Sequence, residues 1–331
     1  MINKRKKLLD KFINDNVKDV KEIIPQKADA SFRVYFRVVT KDGSFMVMDS
    51  PPDKEPTDLF IKIGKHLIEQ GFNAPKLLKI DSDNGFLLLE DFGDNTFINL
   101  IKNGYDSKKL YSLATDLLID LHKSPFITSL SINPYDIPLY LKEVKILSDW
   151  YIPYYYGEMS LEKKSEWEKT WLKVLGELPM MRSTLVLRDY HAGNIMLLKD
   201  DKCGLLDFQD ALIGNPAYDL MSLLEDVRLD VDKNIIKNNY EYYKKAMNYG
   251  EEFDKSYQIL AAQRHAKILG IFVRLSVRDN KDRYLELLPR SLSLFEKSLQ
   301  SPYLLPVKEF LERNYSNFFT EKLVKHTIKS I

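Results

Sequence analysis

The sequence has very little cysteine and almost no net charge. Cys203 is its single cysteine, which excludes an internal disulfide framework and a cysteine-rich metal site. Such sparing use of cysteine is typical of a reducing compartment. Lysine and arginine together number 49 and aspartate and glutamate 48, so the formal charge is +1. This balance gives no reason to expect nucleic acid or an anionic membrane surface as a partner.

Long apolar runs are also missing. No uncharged apolar stretch approaches the roughly 20 residues that span a bilayer. After the basic run Lys4–Lys7, charged residues such as Asp10 and Asp15 interrupt the apolar ones, which argues against a secretory signal. We therefore expect a cytoplasmic protein that binds neither membrane nor nucleic acid. Residues 4–7 are expected to be a solvated, partly frayed end.

Glycine-rich phosphate loops are absent as well. The sequence contains neither G-x-G-x-x-G nor a Walker A motif, which excludes the commonest backbone cradles for phosphate. At the first predicted hairpin the run Ala28–Ser31 stands where a glycine-rich turn would be expected. Ser31, Arg33 and Arg37 are the residues there that could meet a nucleotide phosphate. The alternative, that the two arginines only cover an exposed strand face, stays open.

At 331 residues the chain is long enough for two lobes. Its first third is rich in short alternating runs, and the remainder is mostly helical in its spacing. The predicted strands are Ser31–Val39, Phe45–Met48, Leu77–Ile80 and Phe86–Glu90, and the predicted helices are Thr57–Gln70, Lys108–His122, Leu139–Tyr151 and Leu161–Leu178. We predict an α+β fold with a small β-rich N-lobe, residues 1–91, that binds nucleotide. A larger, mostly α-helical C-lobe, residues 92–331, would carry catalysis and substrate binding.

The stretch Leu185–Phe208 interrupts the helical region and holds the most informative residues. Asp189 and Asn194 lie on one loop, and the apolar run Ile195–Leu198 follows. A polar turn then leads to a second short strand that ends at Asp207. This order predicts a hairpin that brings Asn194 and Asp207 together.

Phosphoryl transfer needs such an arrangement. A carboxylate must orient the attacking hydroxyl and accept its proton, which suits Asp189. Oxygen ligands must hold Mg²⁺ against the phosphates, which suits Asn194 and Asp207. Each residue alone would be read as a turn former, but the combined spacing favours a catalytic site. His191 and Asp219 are expected to brace the catalytic loop by hydrogen bonding.

The same stretch resembles the catalytic and metal-binding loops of the aminoglycoside phosphotransferases and choline kinases, which are relatives of protein kinases. His191, two residues after Asp189, is typical of the kinases that act on small molecules. The resemblance implies a bilobal, protein-kinase-like fold and a requirement for ATP and Mg²⁺. It also implies that adenine binds at the lobe connection, and we predict Glu90, Asp91 and Phe92 as nucleotide-binding residues.

A closer resemblance covers roughly residues 28–290. It rests on Ala28–Val38, Met48–Pro52, Phe86–Asp91 and Leu205–Arg228, the last with Asp210–Leu220 at its core. These segments resemble the bacterial N-acetylmuramate/N-acetylglucosamine kinases, which phosphorylate the anomeric hydroxyl of an amino sugar in peptidoglycan recycling. The resemblance implies a small-molecule sugar substrate and a metabolic link to a nucleotidyltransferase. Asp210 is a candidate for sugar hydroxyls, and Arg264 or Arg274 for the lactyl carboxylate of N-acetylmuramate.

Two departures keep alternatives open. Met48 stands where protein kinases have a lysine that contacts the phosphates, and Val34 stands where the closer relatives have a second arginine. The first alternative is another small-alcohol acceptor, such as an aminoglycoside, choline or homoserine. The second is a pseudokinase that binds nucleotide without turnover. Retention of Asp189, Asn194 and Asp207 together favours the enzyme.

Overall fold

The computed structural model describes residues 2–26, 31–125, 131–315 and 317–319. Residues 28–30 of the segment that resembles the sugar kinases therefore lie outside the described residues. The chain forms two compact units, one of residues 1–117 with 192–211 and one of residues 118–191 with 212–331. These are units of packing, so the lobe boundary expected at residue 91 stays a prediction.

The first unit contains a five-stranded antiparallel sheet. Its strands are β1 (Glu22–Pro25), β2 (Val34–Val39), β3 (Ser44–Asp49), β4 (Leu77–Asp81) and β5 (Phe86–Glu90). Their order across the sheet is β1-β2-β3-β5-β4. The predicted hairpin is confirmed, since Val34 pairs with Asp49 and Val39 with Ser44 around the turn at Gly43. Phe32 lies before β2 and is 57% exposed, so it does not belong to the buried face of that strand.

Helix α1 (Ile2–Asn16) packs against this sheet. The basic run is solvated as expected, since Lys4, Lys6 and Lys7 are exposed, but the expected fraying is wrong. The run belongs to a helix because apolar residues recur at helical spacing behind it. Leu9, Phe12 and Ile13 are buried with residues of β2, β3 and β5. Arg5 pairs with Asp49, and its guanidinium lies 4.9 Å from the ring centroid of Phe86.

Helix α2 (Asp58–Glu69) follows β3 and supports the segment after Asp207. The sequence predicted this helix to within one residue at each end, with Gly71 beyond its last turn at a φ of +86°. Phe60 packs on Phe208 with ring centroids 4.9 Å apart. A Cβ on Gly64 would lie 3.1 Å from the Phe208 ring, so this glycine permits the close approach.

A two-stranded hairpin in the first unit confirms the predicted pairing around the catalytic motif. Strand β6 (Thr184–Val186) belongs to the second unit, whereas β7 (Ile195–Leu197) and β8 (Cys203–Leu205) form this hairpin. Leu197 pairs with Cys203 and Ile195 with Leu205. The backbone N–H of Leu206 then donates to the carbonyl of Asn194 over 2.9 Å. The hydrogen-bonded ladder therefore extends to Asn194 on one side and to Leu206, the residue before Asp207, on the other.

Helices dominate the rest of the chain. They are α3 (Phe97–Lys102), α4 (Ser107–Lys123), α5 (Ile137–Ile146), α6 (Ile152–Tyr156), α7 (Leu161–Gly176), α8 (Ala217–Leu224), α9 (Lys233–Ala246), α10 (Glu251–Val277), α11 (Leu288–Ser298) and α12 (Leu305–Asn314). The predicted helices are confirmed, although one turn of π-helix at Leu147–Tyr151 follows α5 where a continuous α-helix was expected.

Helix α10 forms the centre of the second unit and packs on α5, α8 and α11. A Cβ on Gly270 would lie 2.2 Å from the carbonyl oxygen of Ile146, so glycine is needed where α10 passes the end of α5. Strand β9 (Leu212–Gly214) pairs with β6 and places the loop that carries Asp189 at the end of this small ladder. Among the described residues, no helix combines the length and the apolar character needed to cross a membrane.

Candidate active site

The β7–β8 hairpin brings an amide and a carboxylate together. Nδ2 of Asn194 lies 3.3 Å from Oδ2 of Asp207. The other carboxylate oxygen of Asp207 accepts a hydrogen bond of 2.7 Å from Nε2 of Gln209. Asp207 has a φ of +56°, a left-handed conformation that aspartate tolerates better than most residues. Its side chain is 46% exposed, so a ligand can reach this pair.

The donor set of this pair fits Mg²⁺. The Asn194 amide also carries an oxygen, and rotation of the amide would turn that oxygen toward the Asp207 carboxylate. Mg²⁺ prefers oxygen ligands and is commonly held by one or two carboxylates together with substrate phosphates. In the part of the chain that the structure describes, no three His, Cys, Asp or Glu residues converge as a metal cage. The pair therefore suits a metal bound together with phosphate.

Ser31 and Arg33 lie in the same unit as this pair. Nη1 of Arg33 is 4.0 Å from Oδ1 of Asp207, and Nε of Arg33 is 3.2 Å from Oε2 of Glu55. The Ser31 hydroxyl donates to Glu55 over 2.6 Å and accepts from the backbone N–H of Arg33 over 2.9 Å. The structure thus places Arg33 near the predicted metal ligand Asp207, and it connects Ser31 to Arg33 through their shared contacts with Glu55.

Arg37 binds three groups of the segment that follows β5. Its Nε lies 2.6 Å from Asp91, its Nη1 lies 2.8 Å from Asp94, and its Nη2 donates to the carbonyl of Gly93 over 3.0 Å. Burial opposes the ionisation of Asp91, but hydrogen bonds from Ser44, Gly93 and Arg37 hold its pKa below the ordinary value. These contacts fix the backbone that leaves the sheet.

The predicted adenine segment begins where β5 ends. Glu90 is the last strand residue, and its backbone N–H donates to the carbonyl of Lys76 over 3.0 Å. Phe92 packs its ring on Gly204 of β8, where a Cβ would lie only 2.8 Å away. The roles of Glu90, Asp91 and Phe92 in nucleotide binding stay predictions.

Asp189 follows β6 in the second unit, on a loop held by a buried carboxylate. The backbone N–H groups of Leu187 and Arg188 donate to the two oxygens of Asp219 over 2.6 and 2.9 Å. Asp219 is fully buried on α8, and Nε2 of His122 lies 3.9 Å from it. Arg188 has a φ of +70°, which these hydrogen bonds help to maintain. The expectation that Asp219 braces the catalytic loop is confirmed.

Positive charge surrounds Asp189. Nη2 of Arg264 lies 3.9 Å from its Oδ1. Desolvation would raise the pKa of Asp189, but the charges of Lys267, Arg264, Arg188 and Arg228 outweigh it and lower the pKa below the ordinary value. The side chain is 51% exposed. Asp189 is therefore an accessible, ionised acceptor at neutral pH, suited to orient a hydroxyl.

Glu143 on α5 holds two of these cations, Arg188 and Lys267, and no sequence motif points to it. Its Oε1 accepts from Arg188 over 2.5 Å and from Lys267 over 2.8 Å. Its Oε2 accepts from Tyr135 over 2.5 Å and from Gln263 over 3.0 Å. Burial would raise the pKa of this carboxyl, but the charges and hydrogen bonds of its partners lower it to about 2. Because these partners are mostly far away in sequence, no local motif could have revealed Glu143.

Three other predicted residues have different surroundings. His191 is buried, and burial followed by the charge of Arg228 lowers its pKa to about 3, so it is neutral at pH 7 and suited to bracing the loop. Arg274 lies ten residues beyond Arg264 on α10, about 15 Å along the helix at 1.5 Å per residue. Arg264 is therefore the one of the two that lies at Asp189. Asp210 lies on an exposed turn of the first unit, and its role toward sugar stays a prediction.

Comparison with known proteins gives consistent results. A sequence model of the phosphotransferase enzyme family matches residues 22–254. An N-acetylmuramate/N-acetylglucosamine kinase of Pseudomonas aeruginosa is 35% identical over 302 residues, 88% of each chain. A kinase of the same name from Neisseria meningitidis is 34% identical over 82% of this chain and 83% of the relative.

Solved structures share the fold. An ADP-bound aminoglycoside phosphotransferase superposes with a TM-score of 0.61 at 16% identity, covering 87% of this chain and 98% of that one. A choline kinase from Streptococcus pneumoniae gives a TM-score of 0.61 at 14% identity, covering 88% and 99%. The predicted α+β, protein-kinase-like fold is confirmed by these likenesses.

Replacing Glu143 by glutamine should destabilise the protein in a pH-dependent way. A folded pKa of about 2 lies below the ordinary 4.5, so the stabilisation is complete above about pH 4.5 and is lost as the pH falls toward 2. We expect Glu143→Gln to lower the free energy of unfolding by about 3 kcal/mol at pH 7 and by clearly less near pH 3.5. Urea denaturation at both pH values measures this.

The matched control for that prediction is Glu168→Gln. Glu168 pairs with Lys145 over 2.6 Å on the surface of the same unit, with both side chains 40% exposed. An exposed pair of this kind contributes at most about 1 kcal/mol. An equal cost of Glu143→Gln at both pH values would contradict the assignment of Glu143 as an ionised counter-charge.

Proposed function

Because the chain belongs to the phosphotransferase enzyme family, we propose that it transfers the terminal phosphoryl group of ATP to the anomeric hydroxyl of N-acetylmuramate or N-acetylglucosamine. The observation that carries the phosphoryl-transfer part is the 3.3 Å approach of Asn194 to Asp207. The names of the similar bacterial kinases support the acceptor, since four relatives 30–35% identical to this chain share that name.

In the proposed reaction Asp189 receives the proton of the attacking hydroxyl. The sugar oxygen forms a bond to the γ-phosphorus, the bond from that phosphorus to the β–γ bridging oxygen breaks, and ADP leaves. Because Asp189 is ionised, it can accept the hydroxyl hydrogen bond before transfer and the proton as transfer proceeds. Mg²⁺ held by Asn194 and Asp207 would neutralise charge on the phosphates.

We assign nucleotide binding to the first unit. The backbone groups of Glu90–Phe92 begin at the last strand residue and are fixed by the contacts of Asp91, which supports their use by adenine. Ser31, Arg33 and Arg37 are the candidates for the phosphates. ATP as donor and the single cysteine favour a cytoplasmic reaction.

Arg264 is our candidate for the lactyl carboxylate of N-acetylmuramate. Its side chain is 4% exposed, and Nη1 has no hydrogen-bond partner among the described residues. A buried guanidinium with a spare donor is stabilised by a carboxylate that it can bind at two points.

The product of the proposed reaction, a sugar 1-phosphate, is a precursor of activated glycosyl donors. A nucleotidyltransferase would therefore be the class of enzyme that consumes it.

Asp189→Asn should nearly abolish sugar-dependent ADP formation. The amide cannot accept the proton, so we expect the rate to fall by about 10²- to 10⁴-fold. ADP binding and the thermal unfolding midpoint should change little, because the amide keeps the size of the side chain. Asp230→Asn is the control, since Asp230 is 94% exposed and pairs only at the surface with Arg290. Turnover of Asp189→Asn close to that of the wild type would rule out this role.

A panel of acceptors tests the substrate. We expect ADP release with N-acetylglucosamine and N-acetylmuramate, and not with choline or an aminoglycoside. The methyl glycoside of N-acetylglucosamine is the matched control, because it differs only in its blocked anomeric oxygen. Phosphorus NMR of the product should show coupling to the anomeric proton. Phosphorylation of the methyl glycoside would place the reaction at another hydroxyl, and turnover of choline or the aminoglycoside alone would favour the small-alcohol alternative.

A further inference from the structure

On β3 of the first unit, the position where protein kinases have a phosphate-contacting lysine is occupied by an uncharged residue. Met48 is fully buried there, paired with Tyr35 on β2 and with Leu87 on β5. A thioether in this position cannot neutralise a phosphate. A nucleotide with two or three phosphates therefore needs another positive group near Asp207.

Arg33 meets that requirement. Its Nε lies 3.2 Å from Glu55, while Nη1 at the far end of the guanidinium lies 4.0 Å from Asp207. The guanidinium has five N–H donors, so one edge can stay on Glu55 while the other binds an anion. Its side chain is only 9% exposed, which strengthens any charge–charge contact that it makes. Phosphates bound through a metal on Asp207 would lie within its reach.

Glu55 is held in place by the turn that follows β3. Its backbone N–H donates to the carbonyl of Pro51 over 2.9 Å, and the Ser50 hydroxyl donates to its carbonyl over 2.5 Å. Ser50 is itself buried, and its N–H donates to the carbonyl of Gly85 over 2.9 Å. A Cβ on Gly85 would lie 1.9 Å from the Ser50 carbonyl oxygen, so this contact requires glycine. Ser50 and Pro51 thus hold the backbone of Glu55 in place.

The carboxylate of Glu55 also fixes the backbone that carries Arg33. Its two oxygens accept from the Ser31 hydroxyl over 2.6 Å and from the backbone N–H of Phe32 over 3.3 Å. Glu55 therefore restrains both the guanidinium of Arg33 and the chain that enters β2. Burial, and after it the charge of Asp207, raises the pKa of Tyr35 on β2.

Arg37 lies four residues further along but has different partners. Its guanidinium contacts Asp91, Asp94 and the carbonyl of Gly93. A phosphate would have to displace two carboxylates that Arg37 already contacts within 2.8 Å. Arg33 has one carboxylate within hydrogen-bonding distance, Glu55 at 3.2 Å, and its Nη1 stands 4.0 Å from Asp207, beyond that distance. The two arginines are therefore not equivalent.

We infer that Arg33, positioned by Glu55, binds the phosphates of the nucleotide. It takes the role that a β3 lysine has in protein kinases, where this chain has Met48. Arg33 contacts the ligand, and Glu55 acts through Arg33 as a positioning residue. Arg37 instead shapes the segment after β5. The inference rests on the proposed function, since it requires a phosphorylated nucleotide as the ligand.

Calorimetric titration of the full chain with ADP plus Mg²⁺ and, separately, with adenosine tests this inference. Arg33→Met keeps an unbranched apolar stem and removes the charged guanidinium. We expect it to weaken ADP binding by about ten- to a hundredfold, the size of a lost charged hydrogen bond, and to leave adenosine binding unchanged. Arg33→Lys should lose less, and Glu55→Gln should show a smaller loss that is also confined to ADP.

Arg5→Met is the matched control, since it removes one positive charge and one ion pair, with Asp49, from the same unit. It should bind ADP as the wild type does. An equal loss of ADP and adenosine binding in Arg33→Met, or no loss of ADP binding, would overturn the inference. If Arg33→Met lowers the unfolding midpoint, the test uses Arg33→Lys and Glu55→Gln instead. The inference then requires that each variant binds ADP more weakly than the wild type and binds adenosine equally well. A wild-type protein that binds no ADP would instead overturn the proposed function itself.

Discussion

The pairing of β7 with β8 is the constraint on which the candidate metal site depends. Three residue pairs form this ladder, and they set Asn194 and Asp207 side by side. So short a hairpin is not stable by itself in water. It is anchored within the first unit by Asn95, whose carbonyl accepts from Leu197 over 2.8 Å, and by the packing of Phe208 on α2.

One carboxylate in each unit restrains cations: half-buried Glu55, 21% exposed, in the first unit and buried Glu143 in the second. Glu55 restrains Arg33 in the first unit, and Glu143 restrains Arg188 and Lys267 in the second. Such pairs gain little stability over well-packed apolar groups, because both partners lose hydration. Their value here is positional: they fix a guanidinium near Asp207 and a set of positive charges near Asp189, and they do so before any ligand arrives. A preorganised charge of this kind costs no reorganisation during phosphoryl transfer.

Local patterns in the sequence predicted much of this fold and the central pair of the site. The turn at Gly43, the helix ending before Gly71 and the order of Asn194, strand, turn and Asp207 are all short-range signals. Helix α1 is not predicted from the exposed basic residues at its start; its only local signal is the helical spacing of the apolar residues behind them.

Long-range pairs could not be predicted in this way. Glu143 lies 45 residues from Arg188 and 124 from Lys267, and Arg37 lies 54 residues from Asp91. No spacing rule connects such residues, since their approach is decided by the packing of helices and strands. The sequence therefore indicated the candidate catalytic and ligand-binding side chains. The structure showed which carboxylates restrain the cations among and around them.

The most direct test of the central claim is the binding of Mn²⁺, a substitute for Mg²⁺ at oxygen ligands, followed by electron paramagnetic resonance with and without ADP. The account predicts Mn²⁺ binding that ADP strengthens in the wild type and that Asp207→Asn weakens by about tenfold or more. Asp200→Asn, on the exposed turn of the same hairpin, should behave as the wild type does. Equal Mn²⁺ affinity of the Asp207→Asn variant and the wild type in the presence of ADP would contradict the account.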